Sequence, residues 1–395
     1  MMAVIVDDLV LEIISYLPLK FAVQCKVLNK NFNTLISDHH FAAKHTIQSP
    51  SRNFTTLFHC SYIYPKIFYN ILPNPPPHHA VNLPGRSVTL PLIVPILASS
   101  NGLLLLQFSD ADVYCVCNPI TMAYQLISYP SDSSFGRHVG LAVEPNTFIL
   151  PQYKLVAIAS RQALSEQLIQ YEFHIFASDA NSWRKSKTIA YEDCEFKSWQ
   201  ASISYEDSEF MSCQAIYLNQ CLHWLRECGD IVAFHTEKEL CHIIKKPPQF
   251  ELGEIVWFGV AECMITIVSS LKEEIVIRNY KNKSWMIRAR ITNIASPEDD
   301  YRNGVPILFN GDRLLLQLRA KGIDGEIHMY DLNTSLWRKI GMVPGLMDSV
   351  QVFVHFVPTL AKVSTINHVP CKGRTMSSSL HEIAQSICML SKLLT

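Results

Sequence analysis

Two short segments hold cysteine and histidine, residue types that bind transition metals, at close spacing. CLHWLREC runs from Cys221 to Cys228 with His223 inside it, and HTEKELCH runs from His235 to His242. In an extended chain Cys221 and His223 share a face, whereas Cys228 lies beyond them. Neither segment has the paired spacing of a structural zinc site. Buried thiols and neutral histidines of a protein core explain both segments better than a metal site does.

The other residues with chemical potential are isolated. Cys115 and Cys117 point to one face of a predicted strand, but no second cysteine pair stands at zinc spacing. His78 and His79 are adjacent in a proline-rich stretch, and adjacent side chains of an extended chain point apart. The sequence has no glycine-rich phosphate loop, no G-x-S-x-G and no H-E-x-x-H. We therefore expect no catalytic residues, no metal and no cofactor.

The charge balance argues against two classes of partner. The chain has 395 residues, with 34 Lys plus Arg against 35 Asp plus Glu. Such a balance gives no general attraction to nucleic acid or to anionic membranes. The first ten residues contain Asp7 and Asp8 and no Lys or Arg, so we expect no secretory signal. The 12 scattered cysteines are then expected to be reduced thiols in the cytoplasm or the nucleus.

One uncharged stretch of 23 residues, Ser87 to Ser109, is long enough to span a bilayer. Pro91 and Pro95 interrupt it, however, and further turn-forming residues follow them. We predict two buried strands instead, Leu92–Leu97 and Leu103–Phe108, and no transmembrane helix.

The N-terminal stretch has helical spacing. Apolar residues follow Asp7 and Asp8 at intervals of three and four, and Pro18 ends this first predicted helix. A second helix is predicted over Lys20–Val27, and Asn29 can cap a third. A unit of roughly 40 residues with three short helices rarely folds alone, because it cannot bury all its apolar side chains. Some of them must face either the rest of the chain or a partner protein, and the periodicity alone leaves both open.

A strand–turn–strand unit repeats from about Ser87 onward. Trp183, Trp285 and Trp337 each follow the turn of such a unit; the last two are 52 residues apart and the first two 102, about twice that. A period near 50 with one hairpin and one aromatic residue per unit is typical of propeller blades. The five predicted hairpins are Tyr114–Ile127, Tyr171–Ile189, Asp230–Ile244, Glu274–Ile291 and Glu326–Val343.

The predicted fold class is α+β, with a small helical module followed by a mainly antiparallel β-propeller of about six blades. The first strands of the β region and Asp348–Val363 are expected to complete the sixth blade, and the three tryptophans to anchor blades. A C-terminal helix, Ser377–Leu394, is expected to dock on the body through Leu380, Ile383, Ala384, Ile387 and Leu390. The predicted domains are the module at 1–46, a proline-rich connecting segment at 47–86, the propeller at 87–370 and the helical tail at 371–395.

The N-terminal stretch resembles the F-box of plant F-box proteins over roughly Val4 to His45. The similarity includes the acidic pair before Leu9, the LPLK step, the VLNK step and the NTLISDHHF ending. The remainder is similar to the F-box-associated region of the same family, at NGLLLL, VCNPITMAYQLI, YLNQCLHWLRECGDIVAFHTEKE and VFVHFVPTLAKV.

This resemblance implies a substrate-recognition subunit of a Skp–cullin–F-box ubiquitin ligase, without an enzymatic activity of its own. The F-box would dock on the Skp adaptor, and through it on cullin, while the propeller binds a target protein. Two polar loops, Ser133–Gly140 and Ser296–Gly304, are candidates for target binding, although the sequence favours ordinary exposed connections for both. The adaptor-binding residues carried over by position are Leu9, Ile13, Leu17, Pro18, Leu19, Val23, Val27 and Leu28.

The chain departs from the family at two places. Ile5-Val6 stands where Leu-Pro is usual, and Phe32 where Trp is usual. Either change could weaken adaptor binding by about a kcal/mol. Phe32, Leu35 and Ile36 are expected to hold the helices together or to touch the adaptor. Two alternatives therefore stay open: an interaction protein with a degenerate F-box that acts outside the ligase, and a propeller enzyme with a helical appendage.

Overall fold

The computed structural model describes most of the chain. The described residues are 2–17, 19–48, 54–61, 66–73, 86–130, 138–144, 152–162, 168–192, 210, 214–250, 255–271, 274–292, 302–319, 325–343, 351–360, 363 and 376–394. They form an N-terminal helical module, six β-sheets and a C-terminal helix.

The helical module is built from four α-helices and one 3-10 turn. They are α1 (Met2–Ser15), α2 (Leu19–Gln24), the 3-10 turn Cys25–Val27, α3 (Lys30–Ile36) and α4 (His39–Gln48). Asn29 is extended and its side chain accepts a hydrogen bond from the Phe32 amide at 2.8 Å, which starts α3 as predicted. The predicted start of the first helix at the acidic pair is wrong, because α1 begins at Met2 and contains both residues.

Six four-stranded antiparallel sheets lie within the described ranges, and each is called a blade. Blade 1 contains β1 (Phe54–Ser61), β2 (Lys66–Pro73), β3 (Arg86–Thr89) and β24 (Gln351–Phe356). Blade 2 contains β4 (Ile96–Ser100), β5 (Leu103–Phe108), β6 (Val113–Asn118) and β7 (Ala123–Ser128). Blade 3 contains β8 (Val139–Val143), β9 (Tyr153–Gln162), β10 (Leu168–Ala177) and β11 (Ser182–Glu192). Blade 4 contains β12 (Ile216–Leu218), β13 (Cys221–Leu225), β14 (Ile231–His235) and β15 (Leu240–Ile244). Blade 5 contains β16 (Ile255–Ala261), β17 (Met264–Ser270), β18 (Ile275–Lys281) and β19 (Ser284–Ile291). Blade 6 contains β20 (Arg302–Phe309), β21 (Arg313–Arg319), β22 (Gly325–Asp331) and β23 (Leu336–Val343).

The blades close into a ring. The inner strand of each blade contacts the inner strand of the next, in the order β4, β8, β12, β16, β20, β24 and back to β4. The ring closes because β24, the last strand, pairs with β1 and completes blade 1, with Phe58 opposite Val354. The predicted propeller of about six blades is confirmed. The predicted contribution of the last strand to the remaining blade is confirmed too, because β24 completes blade 1.

The predicted connecting segment at residues 47–86 needs correction. It contains β1 and β2, which form an antiparallel pair in blade 1, so the propeller begins within it. The predicted strand Leu92–Leu97 also starts later, because β4 begins at Ile96, whereas Leu103–Phe108 is β5 as predicted. No helix in the described part of the chain is long and apolar enough to cross a bilayer.

Tryptophans of the outermost strands link neighbouring blades. The indole Nε1 of Trp183 donates to the Ser128 carbonyl of the preceding blade at 2.7 Å, and Trp285 donates to the Lys245 carbonyl at 2.7 Å. Trp337 packs on Tyr330, with ring centroids 4.8 Å apart. These contacts confirm the prediction that the three tryptophans anchor blades.

The C-terminal helix α5 (Met376–Leu394) packs into the core shared by blades 1 and 2. Ile383, Ile387 and Leu390 are buried there beside Phe58 and Leu106. The predicted docking on the body is confirmed. The predicted face was partly wrong, because Leu380 and Ala384 are exposed, while Leu393 and Leu394 are buried instead.

Candidate functional site

The helical module carries a cluster of exposed apolar side chains, called here the exposed apolar surface. A soluble domain exposes single apolar residues freely, but a concentration of them marks an interaction site. The exposed fractions are 60% for Leu9, 63% for Ile13, 54% for Tyr16, 53% for Phe21, 86% for Val27 and 63% for Leu28.

Helical geometry aligns these side chains. On α1, Leu9 and Ile13 are four residues apart and therefore share one face, while Ile14 on the opposite side is buried. On α2, Leu19 and Ala22 face the module core, so Phe21 points outward. The side chains on α1 and α2 are therefore presented by helices whose other faces are fixed in a core.

An open groove lies within this surface. It has a volume of about 540 Å³ and is lined by Leu17, Phe21, Gln24, Cys25 and Leu28. Four of the five lining residues have apolar or weakly polar side chains, and Gln24 is uncharged as well. A groove of this kind is suited to an apolar side chain of a partner protein.

Two polar contacts brace the helices behind the surface. The ring Nε2 of His45 on α4 lies 2.9 Å from the Leu17 carbonyl, just after the end of α1. Burial lowers the pKa of His45, so its imidazole is neutral at pH 7. The ammonium of Lys44 donates to the carboxylate of Glu12, which lowers the pKa of that carboxyl. Both contacts join α4 to α1 and hold the surface in place.

The structure exposes four of the eight predicted adaptor-binding residues. Leu9, Ile13, Val27 and Leu28 are exposed, whereas Leu17 is partly buried and lines the groove. The remaining three are Pro18, which is outside the described residues, Val23, which packs partly against the module core, and Leu19.

The prediction that Leu19 binds the adaptor needs correction, because its side chain is 6% exposed and belongs to the module core. Phe21 and Tyr16 were missed by sequence reasoning. The signal that could have found Phe21 is its position two residues after Leu19, which places it roughly 200° away around a helix.

Of the positions at which the chain departs from the family motif, Phe32 is the one whose surroundings the structure describes. Phe32 packs against the module core, where Ile36 is fully buried, so its ring acts on the folding of the module. Leu35 is half-buried. The side chains of Ile5 and Val6 are outside the described ones.

The segments Cys221–Cys228 and His235–His242, which the structure describes, do not gather their cysteines and histidines into a metal-binding cluster. Across the described residues, no group of three or more His, Cys, Asp and Glu side chains could hold a metal ion. Cys221 lies opposite His235 in the β13–β14 pair, and Cys228 lies in the turn beyond β13. His223 is 5% exposed, and burial lowers its pKa to about 4, so it is a neutral core residue. Burial also raises the pKa of the Cys115 thiol, which makes it unreactive.

The candidate target-binding loops lie largely outside the described residues, at 133–137 and 296–301. The strands that flank them are described: the first loop joins β7 to β8 and the second joins β19 to β20. Because antiparallel strands alternate in direction, these strand ends lie at the edge of the ring opposite the β6–β7 turn. Ile120 of that turn contacts the helical module. The two loops therefore start and end at the edge away from the module.

Comparison with family models gives two matches. Residues 84–291 match the model described as F-box protein At3g26010-like, beta-propeller. Residues 5–44 match the F-box domain model. The second match covers α2, α3, most of α1 and part of α4, and therefore the whole exposed apolar surface.

Several Arabidopsis thaliana proteins are similar to the chain. The putative F-box/kelch-repeat protein At1g20790 is 26% identical over 365 residues, which cover 89% of this chain and 76% of that protein. The putative F-box protein At1g20795 is 26% identical and the alignment covers 67% of this chain and 65% of that protein. F-box protein At1g20360 is 28% identical, with 53% of this chain and 67% of that protein covered.

Comparison with solved structures gives more distant matches. TolB from Acinetobacter baumannii aligns with a TM-score of 0.44 and 10% identity, over 78% of this chain and 67% of that one. The six-bladed β-propeller lectin from Aleuria aurantia aligns with a TM-score of 0.38 and 9% identity, over 74% of this chain and 96% of that one. At these TM-scores neither structure carries weight for function.

Proposed function

Since the chain belongs to the family of plant F-box proteins with an At3g26010-like β-propeller, we propose that it is the substrate-recognition subunit of a Skp–cullin–F-box ubiquitin ligase. In this proposal the exposed apolar surface binds the Skp-family adaptor, and the adaptor connects the chain to cullin. The propeller binds the target protein. The protein acts in the cytoplasm or the nucleus, where the ligase would meet its targets.

The observation that carries the proposal is the uncovered surface of the helical module. Ile13, Phe21 and Leu28 are each more than half exposed, although the helices of the module bury Ile14, Ala22 and Ile36. Covering a Leu, Ile or Phe side chain contributes about 1.5–3 kcal/mol. A partner that covers three or four of these side chains therefore gains enough free energy for a specific complex, even after the cost of association.

The contribution of the protein to ubiquitin transfer would be proximity. A target held by the propeller is brought close to the ubiquitin-charged partner of the ligase, which raises the effective concentration of its lysines. The chain then needs no catalytic group of its own. We propose that the target contacts the edge of the ring opposite the β6–β7 turn, because the helical module occupies the other edge.

The adaptor assignment is tested by measuring the affinity of the full-length chain for a purified Skp-family adaptor. Phe21→Asp combined with Leu28→Asp places two charges in the groove, and we expect it to weaken binding by about 100-fold or more. Leu17 is less suitable for this test because its side chain also packs against the module core.

The matched control is Leu240→Asp combined with Leu336→Asp. These leucines are 53% and 55% exposed on the outermost strands of blades 4 and 6, so the control adds the same charges to the propeller. We expect the control to bind like the wild type. Equal binding by both double variants would contradict the assigned surface. A folded wild-type chain that binds no adaptor would favour the alternative of an interaction protein outside the ligase.

A further inference from the structure

The chain segment that follows β24 lies between the helical module and blade 2. Thr359 and Leu360 are 7% and 4% exposed, although they belong to no helix or strand. The Leu360 side chain belongs to the same cluster of buried side chains as Ile14, Leu19 and Ala22, which is the core of the helical module. A residue near the C-terminus therefore completes the core of the N-terminal module.

Thr359, the neighbour of Leu360, is bound to the propeller. The Asn118 side chain at the end of β6 donates from Nδ2 to the Thr359 carbonyl at 3.0 Å. The Thr359 hydroxyl donates to the Asn101 carbonyl in the β4–β5 turn at 3.3 Å. Gly102 follows in that turn, and a Cβ on it would overlap the Thr359 side chain. The segment is thus fitted closely against the turns of blade 2.

Blade 2 also contacts the module directly. Ile120 in the β6–β7 turn packs against the module core, and its amide donates to Asn118 Oδ1 at 2.9 Å. Asn118 is fully buried. One side chain therefore holds both the turn and the Thr359 segment in the positions from which they reach the module.

The segment is fixed on both sides. Before it, β24 is paired with β1 in blade 1. After it, Val363 is 5% exposed in the core between blades 2 and 3, and α5 is buried through Ile383 and Ile387. The module is joined to β1 through residues 49–53 and meets the chain again at Leu360, so it is attached at two points far apart in sequence.

We propose that Thr359 and Leu360 are positioning residues that fix the helical module on the propeller as one rigid body. The exposed apolar surface then keeps a single orientation relative to the ring. The proposal goes beyond the proposed function, because rigidity is a property of the chain without any adaptor. Under the proposed function its consequence is that a target on the propeller is held at a defined distance from the adaptor.

The experiment measures the distribution of distances between the module and the ring in the full-length chain, by fluorescence energy transfer. Labels are attached through noncanonical amino acids at Asn31 and Lys283, which are both exposed, because the chain has 12 native cysteines. We expect a narrow distribution for the wild type. Leu360→Asp puts a charge into the module core and should broaden it, with amide exchange in α3 faster by roughly tenfold or more.

The matched control is Val357→Asp, in the same segment. Val357 is 42% exposed, so the same charge there should leave the distribution narrow. Leu360→Met keeps the apolar volume and should also stay narrow. Ile120→Asp removes the contact from the side of blade 2 and should broaden the distribution like Leu360→Asp.

Tryptophan fluorescence shows whether the ring itself stays folded, because the six tryptophans all lie between Trp183 and Trp337. If Leu360→Asp disturbs that fluorescence, the distance distribution of Ile120→Asp decides whether loss of the contact frees the module. Narrow distributions in both Leu360→Asp and Ile120→Asp would overturn the proposal. Because no adaptor is present, this result is separate from success or failure of the ligase assignment.

Discussion

The helical module and the propeller treat apolar residues in opposite ways. In blade 2 every residue of β5 and β6 is buried, since one face packs on blade 3 and the other on blade 1 and α5. In the module, α1 and α2 leave Leu9, Ile13 and Phe21 more than half exposed. Stacked blades cover each other's faces, whereas in the described part of the chain the module core is met from outside the module at Leu360 and Ile120.

The comparison teaches that the exposed leucines are not a consequence of small size alone. The module does have a core, and it recruits Leu360 from the other end of the chain to complete it. Leu9, Ile13 and Phe21 lie outside that core and are more than half exposed. We propose that a second polypeptide covers the exposed apolar surface.

The largest expected difference is between two phenylalanines. Phe234 in β14 is fully buried and stacks on Phe173 at 4.3 Å, so Phe234→Ala should lower the free energy of unfolding by about 3–5 kcal/mol. Phe21→Ala should change it by no more than about 0.5 kcal/mol while it weakens adaptor binding. Urea titrations followed by tryptophan fluorescence for Phe234 and by circular dichroism for Phe21 check both. A similar loss of stability in the two variants would contradict the claim that Phe234 is a core residue and Phe21 a surface residue.

Gly102→Ala tests the fit of the C-terminal segment on blade 2. Gly102 has a φ of +81°, and an added Cβ would overlap Thr359, so we expect a loss of about 2 kcal/mol or more and faster exchange in the module. Gly311→Ala is the control. Its φ is +112°, so alanine there strains the backbone as it does at position 102. The added Cβ would meet the flexible side chain of Glu262, however, and would not displace Thr359. An equal increase in amide exchange of the module in the two variants would argue against close packing of Thr359 on blade 2.

Acid should destabilise the propeller through His223. Burial lowers the pKa of His223 from 6.5 to about 4 in the folded chain, so the unfolded chain binds a proton that the folded chain does not. Its contribution is therefore complete above about pH 6.5 and is lost as the pH falls toward about 4, by roughly 2 kcal/mol at pH 5. Urea midpoints at pH 7.5 and pH 5 measure the loss, and His223→Gln should reduce it. An unchanged pH dependence in that variant would refute the assignment.

The smallest expected effect is at a helix cap in the module. Asn29→Ala removes the acceptor for the Phe32 amide and should destabilise α3 by about 1 kcal/mol. Amide exchange of α3 measures the change. Asn29→Asp keeps an acceptor and should restore most of the protection. Protection in Asn29→Ala equal to that of the wild type would show that the cap is not needed.

The propeller was largely predictable because its signals are local. A strand–turn–strand unit recurs at a spacing near 50 residues, in three cases with a tryptophan after the turn, and the five predicted hairpins are the two outer strands of blades 2 to 6. Blade 1 was missed in part because its first strands lie beside a proline-rich stretch. Their assignment depends on pairing between β1 and β24, which are separated by most of the chain.

The candidate site was predictable for α1 and less so for α2. The spacing of Leu9 and Ile13 identifies one face of α1 without further information. On α2 both Leu19 and Phe21 are apolar, and the local pattern does not say which one faces inward. The choice is made by packing around Ala22 and Leu360, a contact that no local period can show.

The most direct test of the central claim is hydrogen–deuterium exchange of the full-length chain with and without a Skp-family adaptor. The account predicts slower exchange in α1, α2 and the 3-10 turn, where backbone amides lie beneath Leu9, Phe21 and Leu28, and unchanged exchange in the blades. Unchanged exchange in the helical module at saturating adaptor, or protection confined to the propeller, would contradict it.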